Sequence, residues 1–353
     1  MLINQVITEI ITDGTHAPSG ENCQPWRFVV KGSEIHIYDL PDADTSIYNH
    51  GKRGSHIAHG ALIETLSLSA AKHGYQAAVS VFPDAKDKDL VAVIALSPGE
   101  VPADTTLYDA IVRRSTNRKE YTGEKLTSVQ REALQSLSTP TVTVHLYDDA
   151  SQLKEIGQAV AMNEKVIFAN RSLHDFFYGH IIWDESKKDE QGFYYKSLEF
   201  TSAQLPAVKM FKNWGALAFL SKFMNVAEKI AGENAAKYSR SGTIAILTTQ
   251  HDTPADLIEA GRVTQRFWLT ATAHAIAVQP CTGLIYFAKR NEEEMREVFS
   301  MTQIKEIRSQ FSVLEKTTKL AGQHMAMLMR VGFADAPSGV AGRMTPRIEF
   351  VGA

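Results

Sequence analysis

The chain has 353 residues, 44% of them hydrophobic and 22% charged, which is the balance of a globular protein with room for two domains. No stretch approaches the roughly 18 apolar residues that a membrane helix needs, and the start does not have the pattern of a signal peptide. The formal net charge of −3 gives no general attraction to nucleic acid or acidic membranes, so any anion site must be local.

Hydrophobic periodicity predicts a helix followed by a hairpin in the first forty residues. The helix ends at Gly14, because apolar residues recur before it at intervals of three and four: Leu2, Ile3, Val6, Ile7, Ile10 and Ile11. A strand over 26–30 and a period-two segment over 35–40 then flank a turn, which predicts the hairpin. The next predicted elements are a helix over about 55–73 and strands over 77–82 and 90–96.

A linker is predicted over 97–105, which holds two prolines and a glycine. It separates a first half, 1–100, from a second half, 104–353. Within the second half, a polar and aromatic stretch without clear period indicates an insertion at about 175–240. The other predicted elements are helices over 107–114, 128–137, 151–170 and 255–275, and strands over 141–147, 243–248 and 325–333.

Two of the predicted long helices match each other. The segments GALIETLSLSAAKHG and GRVTQRFWLTATAHA share four residues at a constant offset of 201 positions: Gly60 and Gly261, Leu68 and Leu269, Ala70 and Ala271, His73 and His274. The match indicates an internal duplication. Four identities in fifteen positions also arise by chance between amphipathic helices, so the helices alone leave both explanations open.

The segment APSGENCQPWRF, residues 17–28, has the composition of a ligand-binding loop. Pro18, Ser19 and Gly20 predict a compact turn whose backbone amides can face a ligand, while Asn22 and Gln24 add side-chain amides that donate and accept. Such a loop suits the polar edge of a heterocycle. The alternative is a plain connection between helix and strand.

The segment RRSTNRKEY, residues 113–121, has the composition of a phosphate site. Guanidinium groups bind phosphate oxygens in pairs, and hydroxyl groups can fill the remaining lone pairs. The residues with these groups are Arg113, Arg114, Ser115, Thr116 and Arg118. The alternative is a solvated basic turn, which is the usual role of a run of charges.

Both segments resemble the signatures of the nitroreductase-like FMN proteins, and the C-terminal stretch 327–351 resembles the closing strand of that family with its late basic residue. The resemblance implies an α+β fold, a three-layer α/β/α sandwich. The middle of the chain, about 170–240, shows no such match. We expect two subunit-like halves fused as an intramolecular pseudo-dimer, as in the Acg-like tandem branch.

The order of the two signatures differs from that of an ordinary family member. There the arginine-rich phosphate segment comes first and the Ala-Pro-Ser loop follows in the same subunit, and two subunits share each flavin. Here the first half has the loop without the arginine-rich segment, and the second half has the reverse. If the halves pair as subunits do, one composite site keeps both parts and its symmetry mate keeps neither. We therefore expect one FMN per chain.

The resemblance implies a role for thirteen residues in binding the cofactor. Near the phosphate we expect Arg113, Ser115, Arg118 and, rather than Arg347, Arg343. Near the isoalloxazine ring and ribityl chain we expect Pro18, Ser19, Gly20, Asn22 and Gln24. The turn after the second repeat helix is expected to approach the ring with Gln279, Pro280, Cys281 and Thr282.

We predict no metal site. Histidines such as His56 and His59 show no metal-ligand spacing. With Cys23 and Cys281 as the only cysteines, neither a disulfide framework nor a thiolate metal site is indicated, and both are expected to be inert packing residues. A reducing cytoplasm is the expected location.

The resemblance implies an oxidoreductase in which NAD(P)H reduces the flavin and a small acceptor, a nitroaromatic or a quinone, then takes the hydride from flavin N5 in a ping-pong cycle. No catalytic side chain is required, and the monomer suffices if the halves pair. A rival hypothesis is FMN storage under a lid formed by aromatic residues of the insertion, which could equally pack a subdomain core. These residues are Trp183, Phe193, Tyr194, Tyr195, Phe200, Phe211 and Trp214. A third hypothesis is a protein without flavin.

Overall fold

The computed structural model describes residues 3–352, so Leu2, which we assigned to the first helix, lies outside the described residues. The first hundred residues form two helices and four strands, as the periodicity predicted. These are α1 (Ile3–Gly14), β1 (Trp26–Lys31), β2 (Glu34–Asp39), α2 (Arg53–Lys72), β3 (Tyr75–Val81) and β4 (Leu90–Pro98).

The rest of the chain forms twelve helices and seven strands within the described residues. The helices are α3 (Thr106–Ala110), α4 (Ser128–Gln135), α5 (Ala150–Val160), α6 (Met162–Ala169), α7 (Arg171–Gly179), α8 (Leu205–Phe211), α9 (Trp214–Met224), α10 (Val226–Ser239), α11 (Pro254–Ala273), α12 (Gly283–Ala288), α13 (Glu292–Val298) and α14 (Met301–Thr318). The strands are β5 (Val142–Tyr147), β6 (Ile181–Ile182), β7 (Phe193–Tyr194), β8 (Thr243–Thr249), β9 (Ala277–Pro280), β10 (His324–Gly332) and β11 (Ile348–Val351). None of the helices in the described range is both long and apolar enough to cross a bilayer.

The strands form two main sheets, one for each half of the sequence. The first sheet has the order β11-β1-β2-β4-β3, and the second has the order β5-β8-β10-β9. The predicted hairpin is confirmed, because β1 and β2 pair antiparallel across a turn in which Gly32 has a φ of +61°. β6 and β7 form a separate two-stranded ribbon within the predicted insertion.

The end of the chain returns to the first sheet. β11 pairs parallel with β1, with Phe28 opposite Ile348. The sequence analysis predicted no separate strand after residue 333, because this strand has only four residues, which is too short to show a period, and it is largely exposed. The stretch between β10 and β11 is therefore anchored at both ends, in the second sheet and in the first.

Each half has its own hydrophobic core. In the first, apolar residues of α1 and α2 pack on the inner face of the first sheet. In the second, every residue of β8 is buried, which means that helices and loops cover both faces of that sheet. The two helices that matched in sequence, α2 and α11, pack against each other between the halves.

The crossing of α2 and α11 is centred on two glycines. A Cβ atom on Gly60 would lie 1.9 Å from the carbonyl oxygen of Ile258 and 2.8 Å from Gly261 Cα. A Cβ on Gly261 would lie 2.1 Å from the oxygen of Ile57 and 2.9 Å from Gly60 Cα. Both glycines and both isoleucines are related by the same 201-residue offset. The repeat seen in the sequence therefore corresponds to a pseudo-twofold axis between the halves.

Polar contacts complete this helix crossing. The buried carboxylate of Glu64 accepts hydrogen bonds from Arg262, at 3.1 Å, and from Arg266. Gln265 Nε2 donates to Thr65 Oγ1 at 2.9 Å. Breaking a buried ion pair on one side leaves an uncompensated charge, so these contacts oppose sliding of one half on the other.

We expect Gly60→Ala to destabilise the protein. The added methyl would overlap backbone atoms of α11, and such overpacking costs about 1–3 kcal/mol or more. The matched control is Gly232→Ala on α10, where a Cβ would meet nothing within 4 Å and where helix propensity gains up to about 1 kcal/mol. The free energy of unfolding, measured in urea, should fall for the first variant and hold or rise for the second. Equal stabilities would contradict the close crossing.

Candidate functional site

A cavity of about 820 Å³ lies between the two halves of the chain. Its walls come from the loop before β1, from the middle of α2 and α11, from the segment after α3, from the turn after β9 and from the C-terminal stretch. This volume lies within the range of small-molecule sites. Eleven of the thirteen residues singled out above line it, and Gln24 and Arg113 do not.

The loop before β1 adopts an unusual backbone. Glu21, Asn22 and Gln24 all have positive φ, at 44°, 55° and 46°, although none is glycine. Left-handed conformations of this kind cost of the order of 1 kcal/mol or more each and cluster at functional sites. Gln24 is buried and its backbone N–H donates to Ser19 Oγ at 2.9 Å. The structure therefore corrects our expectation for Gln24, which holds the loop together behind the cavity wall.

The arginine-rich segment turns Arg114, and not Arg113, toward the cavity. Arg113 is exposed and its Nε donates to the carbonyl oxygen of Asp109 at 3.1 Å. Arg114 is buried, and its Cζ lies 4.5 Å from the ring centroid of Trp268. Its Nη2 donates to the carbonyl oxygen of His16 at 3.0 Å. Arg113, which we expected near the phosphate, therefore does not line this cavity.

The helical phase of α3 explains why Arg114, and not Arg113, faces the cavity. Ala110 is fully buried, and Arg114 follows it by four residues, with a hydrogen bond from its N–H to the Ala110 carbonyl. Residues four apart share one helical face, so Arg114 continues the buried side and Arg113 the exposed side. The apolar spacing of Leu107, Ala110 and Ile111 carried this signal in the sequence.

The segment after Arg114 is fixed to the edge of the second sheet. Thr116 forms a parallel bridge with Val278, and the N–H of Asn117 donates to the Val278 carbonyl at 3.0 Å. Ser115 and Thr116 thereby lie in the same wall as the turn after β9. Arg118 points to the predicted insertion, where Nη1 donates to the Ser197 carbonyl at 3.0 Å.

The end of β9 and the turn after it place four predicted residues on the cavity wall: Gln279, Pro280, Cys281 and Thr282. The Cys281 N–H donates to the carbonyl of Leu328 at 2.8 Å, which fixes the turn to β10. Burial raises the pKa of the Cys281 thiol to about 12, and burial also raises the pKa of Cys23. Both thiols therefore stay protonated at neutral pH.

Of the two late arginines, Arg343 reaches the cavity and Arg347 does not line it. Arg343 donates from Nη1 to Asn22 Oδ1 at 3.3 Å and from Nη2 to the His16 carbonyl at 3.2 Å. Burial lowers the pKa of Arg343 to about 10, so the side chain remains charged at neutral pH. A charge from the end of the chain is thus placed beside the loop before β1.

Several buried polar atoms on the cavity wall have no hydrogen-bond partner within the described residues. They are Arg114 Nε, Glu164 Oε2, Thr264 Oγ1, Gln279 Oε1 and Arg343 Nε. An unsatisfied buried donor or acceptor costs about 1–3 kcal/mol, more when charged, so natural structures rarely leave one unexplained. The cavity therefore offers both donors and acceptors to a polar ligand.

Two acidic residues that we did not single out also line the cavity. Burial, with the nearby charge of Asp44, raises the pKa of Glu21 to about 8, and burial also raises the pKa of Asp44. Glu21 is therefore mostly protonated at neutral pH and can donate a hydrogen bond. The sequence placed Glu21 within the loop segment, but nothing local indicated that its carboxyl faces the cavity.

The insertion covers part of the cavity. Three of its aromatic residues line the wall: Phe193, Phe200 and Phe211. Others pack within the insertion, where the rings of Trp183 and Tyr195 stack with centroids 5.8 Å apart and Trp214 packs on His174. The insertion thus contributes both a cover and a packed subdomain. In the part of the chain that the structure describes, no group of three or more metal-ligating side chains comes together.

Comparison with known proteins gives sequence relatives but no matching family model. The chain is 23% identical to "Putative NAD(P)H nitroreductase acg" of Mycobacterium tuberculosis, over 80% of this chain and 81% of that protein. It is 33% identical to "Putative NAD(P)H nitroreductase MT3217" of the same organism, over 33% of this chain and 34% of that protein. It is also 24% identical to "Uncharacterized protein MT1398" over 95% of this chain, which spans about half, 47%, of that longer protein.

The chain is similar to nitroreductase-like proteins, among them Acg. The expected fold of this family, an α+β sandwich in which two halves are fused, is confirmed. A nitroreductase structure from Anabaena variabilis aligns with 93% of this chain at a TM-score of 0.45 and 11% identity.

The raised pKa of Glu21 predicts a pH effect on stability. The folded state holds the proton up to about pH 8, whereas the unfolded chain releases it near the ordinary value of 4.5. Stability from this group is therefore present below pH 4.5 and is lost as the pH rises toward 8. We expect Glu21→Gln to lose less stability than the wild type between pH 5 and pH 9, measured by urea unfolding at both values. Parallel losses in the two proteins would contradict the assigned pKa.

Proposed function

We propose that this protein binds one FMN per chain and acts as an NAD(P)H-dependent oxidoreductase on a small acceptor, a nitroaromatic or a quinone. The observation that supports this most is the meeting, in one cavity, of the loop from the first half and the arginine segment from the second. The unpartnered donors and acceptors on the wall fit a polar ligand with an anionic group. The names of Acg and MT3217 point in the same direction.

In this proposal the second half and the C-terminal stretch hold the phosphate. The Nε atoms of Arg114 and Arg343 have no hydrogen-bond partner among the described residues. The hydroxyls of Ser115 and Thr116 lie in the same wall. Arg118 adds a third guanidinium on the side of the insertion. Three cations offset the charge of a phosphate monoester, and guanidinium groups bind its oxygens in pairs.

The loop of the first half would bind the ring system. Residues 18–22 of this loop lie on the cavity wall, with the protonated Glu21 carboxyl among them. Gln279 and Thr264 would satisfy their unpartnered atoms on the same ligand. Preorganised donors of this kind stabilise negative charge that develops on a ligand during reaction.

FMN supplies hydride transfer at N5, so the protein needs no catalytic acid and base of its own. The residues of this chain bind the cofactor, exclude water and leave one face for nicotinamide and then for the acceptor. Alternate use of one face by two substrates predicts ping-pong kinetics.

A second candidate function, FMN storage, is favoured by the way the insertion is fastened. The N–H of Gly192 donates to the Glu21 carbonyl at 2.7 Å, and Gln191 Nε2 donates to the Ala43 carbonyl at 2.8 Å. On the other side, Glu199 accepts hydrogen bonds from the N–H and the hydroxyl of Ser338, at 2.6 and 2.7 Å. A cover held at both edges would keep nicotinamide from the cofactor.

We expect the double variant Arg114→Ala/Arg118→Ala to bind FMN at least about 100-fold more weakly than the wild type, since each hydrogen bond to a charged group contributes roughly 1.5–3 kcal/mol. The control is Arg113→Ala, which removes one arginine of the same segment from an exposed position outside the cavity. Fluorescence titration of the apoprotein with FMN measures both affinities.

Equal affinity in the double variant and the control would reject the assignment of the arginine segment. The absorbance of the saturated protein gives the stoichiometry, for which we expect one FMN per chain.

The enzyme and storage hypotheses differ in the response of bound FMN to NADH or NADPH without oxygen. If the protein is an oxidoreductase, the visible flavin band should bleach on mixing and return when a quinone is added. Bleaching by dithionite alone would favour storage. Glu199→Ala, which releases Ser338 from the insertion, should then speed any slow bleaching by nicotinamide, while Glu120→Ala, an exposed carboxylate outside the cavity, should not.

A further inference from the structure

The part of the cavity under the insertion differs from the part around the loop and the arginines. Three helices, α8, α9 and α10, each turn one face toward it. The apolar lining residues are Ala207, Val208 and Phe211 of α8, Leu220 and Met224 of α9, and Val226 and Ile230 of α10. The same face of α10 also carries Lys229, Glu233, Asn234 and Lys237, which form a polar side of this space. We name the apolar residues the apolar chamber, together with Ile167, Phe168, Phe176 and Phe177, which also line the cavity.

The chamber runs along α10 from the polar wall to the surface. At the C-terminal end of the helix, the Tyr238 hydroxyl donates to Glu164 Oε1 at 2.9 Å. Burial lowers the pKa of the neighbouring Lys237, and the nearby charges of Arg330 and Arg118 lower it further. At the N-terminal end, Val226 follows Met224 of α9. Lys237 follows Val226 by eleven positions, which corresponds to about 16 Å along the helix.

An apolar rim surrounds the outer end of the chamber. Met224 lines the cavity and is also 59% exposed, so it marks the opening. Its neighbour Phe223 is 74% exposed and packs against Phe219, which is 60% exposed, with ring centroids 5.3 Å apart. A group of large exposed apolar side chains on a soluble surface usually marks a binding site.

We propose that the apolar chamber binds the aliphatic chain of an amphiphilic acceptor whose planar head, such as a naphthoquinone, lies at the polar wall. The reactivity of the head rests on the proposed function; binding of the chain does not. The apolar faces of α8, α9 and the first turns of α10 remove the chain from water, and the chain leaves the protein between Met224 and Phe223. A compact nitroaromatic would leave this chamber unused.

The first test measures binding without any redox chemistry. Naphthalenes that carry a butyl, hexyl or octyl chain have no carbonyl to reduce, and their affinity for the flavin-loaded full-length protein can be measured by calorimetry. Each methylene that the chamber buries should tighten binding about fourfold. Affinity that does not change with chain length would overturn the proposal.

Variants with a charge inside or outside the chamber test where the alkyl chain binds. Val208→Asp and, separately, Leu220→Asp put a charge in the chamber and should reduce the gain per methylene to less than twofold. Val129→Asp on α4 introduces the same charge at a site that is 69% exposed and outside the cavity, and it should leave the gain unchanged. Circular dichroism confirms folding of each variant. The proposal fails if both chamber variants keep the full gain.

The second test uses alkyl naphthoquinones as acceptors. We expect kcat/KM to rise with chain length in the wild type and in Val129→Asp, and to lose that rise in Val208→Asp. If alkylnaphthalenes bind with the expected dependence but no quinone is reduced, the chamber stands and the proposed oxidoreductase function fails. A wild type that reduces all the quinones with one kcat/KM overturns the chamber and leaves the oxidoreductase intact.

Discussion

The arrangement of this molecule depends on the contact of two helix backbones at Gly60 and Gly261. Side chains of any size would hold α2 and α11 apart, because the positions of both Cβ atoms fall on backbone atoms of the other helix. The close approach brings the first sheet and the second sheet to fixed positions on either side. The cavity lies where the loop before β1 and the segment after α3 meet across this crossing.

Assembly of the cavity from distant parts of the chain concentrates unfavourable features in one place. A loop with three left-handed residues, the buried Arg114 and an acid with a raised pKa all contribute to its wall. Each lowers the stability of the protein, so the cores of the two halves must offset them. Features of this kind persist when the groups are needed to bind a ligand, which is consistent with a polar cofactor.

The sequence predicted the parts of the site that depend on local order. The turn around Pro18, the hydroxyls after Arg114 and the turn after Gln279 each follow an element whose period and end are visible in the sequence. Arg113 was taken from the resemblance to the family signature, without regard to the phase of α3, which turns Arg114 to the cavity. β11 was missed for another reason: Phe28 and Ile348 are far apart in the sequence, and their pairing leaves no local pattern. A lid formed by the insertion was one of our hypotheses, but the contacts that fasten it, such as Gly192 with Glu21, join distant segments and leave no local pattern either.

The ion pair at the helix crossing shows what fusion of two halves permits. At the 201-residue offset, Glu64 corresponds to Gln265, while Arg262 and Arg266 correspond to Ala61 and Thr65. In an assembly of two identical subunits, every substitution near the axis occurs twice, so a single buried acid opposite two arginines would be impossible without its duplicate. A covalently joined pair is free of that restriction, and its two members can diverge into a donor side and an acceptor side. Such divergence allows one of two related clefts to keep its binding residues while the other loses them, as the proposal of one FMN per chain requires.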